Sequence, residues 1–121
     1  EEGRKIKKKD LINLSKLKFM PINLELAANE KMLKVALKYK PNFVCLVPEK
    51  RKEITTEGGL NLKKNKIKIK KIIKILNDRK IRTSLFINPN LKDVKIANFI
   101  NTKCVELHTG KISRLVKNKK N

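Results

Sequence analysis

Four short apolar runs recur along the chain, and a helical segment precedes each of them. They are INLELA (22–27), FVCLV (43–47), RTSLFI (82–87) and KCVEL (103–107). Their β-branched and aromatic content reads as strand. The segments between them carry helical spacing and caps. In DLINLSKLK (10–18), Asp10 is placed as an N-cap and Leu11, Leu14 and Leu17 lie along one side. Asn29 caps EKMLKVALKYK, whose stripe is Met32, Leu33, Ala36 and Leu37, with Pro41 beyond its end. LKKNKIKIKKIIKILNDRK places Ile69, Ile72, Ile73 and Leu76 on one face. Asn90 caps the last helix, with Asp93 at a capping-box position and Val94, Ala97 and Ile100 directed inward. The order is α-β-α-β-α-β-α-β. Strands separated by helices imply a parallel sheet.

That order leaves two architectures: a small open α/β sheet, or half of an eightfold α/β barrel. A Rossmann half needs a Gly-x-Gly-x-x-Gly turn, and none is present. Residues 1–121 are read as a single partial domain, with 111–121 a frayed tail. The first residue is Glu1, so the chain reads as a fragment. No apolar run is long enough for a transmembrane helix, and the basic N-terminus has no apolar signal region.

The net charge is +21, which raises nucleic acid as a partner. The charge is carried by 27 lysines and only 5 arginines, whereas arginine makes the forked contacts to phosphates and guanines. Lysine, isoleucine and asparagine are enriched together, and all three have AT-rich codons. Genome composition is the reading favoured for them over a nucleic-acid function, and the lysines read as solvated helix faces. Cys45 and Cys104 both fall in apolar runs and read as buried free thiols of a reducing cytoplasm rather than a disulfide. One histidine and no paired-cysteine motif argue against structural zinc.

Alternation along a strand sends neighbouring side chains to opposite faces. Leu24 and Leu26 share one face of INLELA, leaving Asn23, Glu25 and Ala27 on the other. Val105 and Leu107 leave Cys104, Glu106 and His108 together in the same way. Two strands thus each carry a glutamate opposite their leucines. An unpaired buried carboxylate is costly, so each either pairs with a lysine or serves chemistry. In an α/β barrel the C-terminal strand ends form the active face, where a glutamate can act as a base. The long polar loop after Val47 leaves the same end. Thr55 and Thr56 offer hydroxyls there, and Gly58 and Gly59 let backbone amides approach an anion.

The segment PNFVCLVPEKRKEITTEGGL resembles the signature of the pyridoxine 5′-phosphate synthase family, and NLELA, SLFI and VELHTG resemble it at matching separations. The resemblance runs from about residue 1 to residue 110. It implies a (β/α)8 TIM barrel, of which this chain would hold strands three to six. It implies condensation of 1-deoxy-D-xylulose 5-phosphate with 3-amino-2-oxopropyl phosphate, releasing phosphate and water, with no metal or organic cofactor. It implies a cytoplasmic homo-oligomer acting on phosphorylated small molecules. By resemblance Glu25 is the proton acceptor, Glu106 stabilises a transition state, and Thr55 contacts the deoxyxylulose phosphate. Lys5 stands where the family has a substrate-contacting histidine. The family's two catalytic histidines fall before Glu1 and after Asn121, so the chain alone is expected to be inactive. Two other readings stand beside it: a basic nucleic-acid-binding module, and a truncated remnant without function.

Overall fold

A computed structural model of the protein describes residues 7–16, 20–49 and 58–110. Its elements run α1 (Lys8–Ser15), β1 (Asn23–Ala27), α2 (Glu30–Tyr39), β2 (Phe43–Val47), α3 (Leu62–Asp78), β3 (Arg82–Ile87), α4 (Leu91–Phe99) and β4 (Cys104–Leu107). The four strands form one sheet in the order β1-β2-β3-β4, and every neighbouring pair is parallel. A doubly wound sheet reverses strand order at a switch point and carries helices on both faces. Here the order is sequential and one face is covered. That is the arrangement of consecutive units of a barrel.

The covered face explains the leucines. Leu24, Leu26, Val44, Leu46, Leu85 and Ile87 point into a core completed by Ala36, Ile69, Ile72, Ile73, Leu76, Ala97 and Ile100 from the helices. The α3 stripe is buried at every position that helical spacing selects. Its lysines are on the other side. Lys66 and Lys70 hold their ammonium groups 5.1 and 4.7 Å from the ring centroid of Phe99, which is 58% exposed. Their stems shield the apolar surface while the charges stay in water.

The caps hold in part. Asn29 Oδ1 accepts from Met32 N at 2.8 Å, and its Nδ2 donates to Glu49 Oε1 at 2.9 Å. The helix ends at Lys40 in the left-handed region (φ 50°) before Pro41. Asn90 Oδ1 accepts from Asp93 N at 2.8 Å. The Asp93 carboxylate does not return to Asn90. It accepts from Asn88 Nδ2 at 3.3 Å instead, which ties α4 to the end of β3.

Two helix expectations need correction. Asp10 is not the N-cap of α1. The helix begins earlier, at Lys8, and Asp10 lies in its first turn, where a negative charge suits the helix dipole. Val94 is 41% exposed, while Ala97 and Ile100 are buried. The short α4 presents its C-terminal half to the core. Leu17 and the expected tail at 111–121 lie outside the described residues.

Candidate active site

The face opposite the core carries none of α1–α4 and holds both glutamates, while Cys45 and Ser84 at its centre are buried. Strand register fixes what lines it: Glu25 is paired with Cys45, Cys45 with Ser84, and Ser84 with Cys104, so these four form one row across the sheet. Glu106 is one pleat further along β4, beside Phe86. Both glutamates thus lie on the face opposite the leucines, as alternation requires. Glu25 is exposed and Glu106 half-buried. Their backbones are three strands apart, about 14 Å in a flat sheet, yet the charges of both bear on Cys45.

Cys45 is therefore the centre of the row. It is 0% exposed. Burial pushes its thiol from the ordinary 9.0 up to about 12; a hydrogen bond with Ser84 opposes this, and a hydrogen bond with Glu106 and the Glu106 and Glu25 charges add to it. The thiol stays neutral at physiological pH, and no third negative charge joins the two carboxylates. Ser84 Oγ donates to Glu106 Oε2 at 3.2 Å. Among the described residues neither Glu25 nor Glu106 makes an ion pair; the pair found there is the exposed Lys74–Asp78 contact on α3. The bland expectation of a lysine partner for each acid is not realised there.

Cys45 and Cys104 are both free. Ser84 stands between them in the row, so two strand spacings, about 10 Å, separate their backbones, beyond the reach of a disulfide. Cys104 is exposed rather than buried, because β4 is an edge strand.

The C-terminal strand ends are closed by a tight backbone junction. Gly59 N donates to Asn88 Oδ1 at 2.9 Å, Leu60 N to Phe86 O at 3.0 Å and His108 N to Ile87 O at 2.8 Å. A Cβ on Gly59 would lie 2.7 Å from Asn88 N, so only glycine fits against the end of β3. Gly58 has φ +102°, and a Cβ there would strike the His108 ring. His108 Nδ1 accepts from Gly110 N at 3.1 Å, which leaves Nε2 to carry the proton of the neutral ring. The glycines serve close packing of the loop end against β3 and β4. Thr55, Thr56 and Lys5 lie outside the described residues.

Ser84 and Cys45 were not among the residues that sequence reasoning selected. The available signal was slight: a serine in the middle of a strand, ahead of Leu85, Phe86 and Ile87. Its partner becomes visible only through cross-strand register. Among the described residues no group of three His, Cys, Asp or Glu side chains is placed to hold a metal, and no helix is long and apolar enough to cross a membrane.

A sequential parallel sheet, helices on one face and, on the other, two carboxylates without an ion pair among the described residues define an α/β protein consistent with part of a TIM barrel. Comparison with known proteins then places the chain. Residues 1–121 match the family described as pyridoxal phosphate biosynthesis protein PdxJ, and the chain belongs to that family. It is 58% identical to the pyridoxine 5′-phosphate synthase of Pelagibacter ubique (strain HTCC1062) over 120 residues, covering 99% of this chain and 50% of that protein. It is 48% identical to the enzyme of the same name from Zymomonas mobilis over 110 residues, covering 91% of this chain and 43% of that protein. For the enzyme of that name from Thermodesulfovibrio yellowstonii the figures are 46%, 91% and 46%. The chain spans about half the length of these curated relatives.

Proposed function

We propose that this chain forms four consecutive units of the barrel of a pyridoxine 5′-phosphate synthase. The complete enzyme condenses 1-deoxy-D-xylulose 5-phosphate with 3-amino-2-oxopropyl phosphate, and phosphate and water leave. Glu25 is the proton acceptor. Glu106 stabilises a transition state. Thr55 contacts the deoxyxylulose phosphate. The observation that carries this reading is the shared open face: two carboxylates without ion-pair partners among the described residues, both bearing on one buried neutral thiol.

The chemistry suits those groups. Ring closure requires protons to be taken from carbon and nitrogen and water to be expelled, and a carboxylate free of a lysine partner can accept a proton. Both substrates are anions, so a strongly basic molecule attracts them at long range. Free thiols agree with a reducing cytoplasm, and the reading takes the complete enzyme to be a cytoplasmic homo-oligomer. The 121-residue chain alone is inactive in this reading, because the family's two catalytic histidines are expected outside it. The test is formation of pyridoxine 5′-phosphate from the two substrates by the full-length protein. Glu25→Gln should lower kcat by about a hundredfold or more, the scale of a lost general base. Undiminished turnover in that variant, or equal turnover by the 121-residue chain alone, would count against the assignment.

A further inference from the structure

We propose that Ser84 is a positioning residue for Glu106, its hydroxyl holding one carboxylate oxygen so that the other is presented to substrate on the open face. The inference rests on the reading of Glu106 as the group that stabilises the transition state. Three observations carry it. Ser84 is in the middle of β3, at a position where strand packing favours an apolar or β-branched side chain, and it is only 6% exposed. A buried hydroxyl is costly unless it is bonded. Its bond goes across the sheet to Glu106 Oε2 at 3.2 Å, although the residue directly opposite Ser84 is Cys104. The hydroxyl thus reaches diagonally past its register partner to the carboxylate.

Glu106 needs such a support. It is half-buried, and among the described residues no lysine or arginine pairs with it. A glutamate there keeps several rotamers unless a donor selects one. A lysine donor would fix it too, but would neutralise the charge the reaction uses. A serine hydroxyl fixes direction without cancelling charge. Cys45, the register neighbour of Ser84 on β2, is buried beside it, and its thiol bonds both Ser84 and Glu106.

The experiment is steady-state kinetics of the full-length protein. Ser84→Ala should lower kcat about tenfold, the scale of a lost hydrogen bond to a charged group, and leave both KM values within about twofold. Ser84→Thr, which keeps the hydroxyl, should recover most of the rate. In a Glu106→Gln background Ser84→Ala should have little further effect, because the two act as one unit. If the alanine variant does not fold, Ser84→Cys keeps the volume with a weak donor, and should fall between wild type and the tenfold loss. Full activity of Ser84→Ala, a threonine variant as slow as the alanine one, or an undiminished additive loss in the Glu106→Gln background would each overturn the inference. A wild-type protein that makes no pyridoxine 5′-phosphate would overturn the functional reading beneath it, which is a separate result.

Discussion

At the scale of single residues, the two cysteines should behave as opposites. Cys45 is buried between two carboxylates and its thiol is raised to about 12, whereas Cys104 is exposed on an edge strand. The thiolate is the reactive form. Iodoacetamide on the folded 121-residue chain at pH 8 should therefore label Cys104 and spare Cys45, as read by peptide mass spectrometry; equal labelling would mean that the row of side chains is not packed as described. The raised thiol also has a consequence for stability. A folded-state value above the unfolded 9.0 means that stability is fully present below pH 9 and is lost as pH rises from about 9 towards about 12. Chemical denaturation between pH 8 and 11 should show a steeper alkaline loss for wild type than for Cys45→Ala. Strand alternation put Glu25 and Glu106 on the open face from sequence alone. It could not find Ser84's partner, because that depends on which residues of separate strands lie side by side.

At the scale of elements, the caps and stripes were legible because they are local. Asn29 bonds within three residues of itself, and the α3 isoleucines follow helical period. Asn29→Ala should cost about 1 kcal/mol in urea unfolding, with its bond to Glu49 lost besides. Leu76→Ala, at a fully buried position of α3, should cost about 2–5 kcal/mol. Lys68→Ala, on the exposed side of the same helix, should stay within about 0.5 kcal/mol. A large loss at Lys68 would show that the lysines are more than a solvated face. Of the two misreadings, Asp10 concerns where a short helix begins and Val94 which side of one is buried. A helix of about two turns has too few apolar positions for periodicity to define its buried side, so packing decides it.

At the scale of the whole molecule, β1 and β4 are each paired on one side only among the described residues. Unpaired parallel edges invite association with another strand, while a net charge of +21 opposes association of like molecules. The isolated 121-residue chain should therefore self-associate more as salt rises from about 0.05 to 0.5 M, since screening shortens the reach of that repulsion. Sedimentation velocity would show it, and a monomer at every salt concentration would argue that the edges are covered. Binding to duplex DNA through the lysines would have the opposite sign, weakening as salt rises.

Strand and helix identity, strand direction and the faces of Glu25 and Glu106 follow from neighbours in the chain: side-chain alternation, helical period and caps act over a few residues. The sequential strand order, the row from Glu25 through Cys45 and Ser84, and the diagonal bond to Glu106 join residues as many as 81 positions apart. Parallel strands have no hairpin turn to fix their register locally. It is set when the helices pack against the sheet and bury the leucine face.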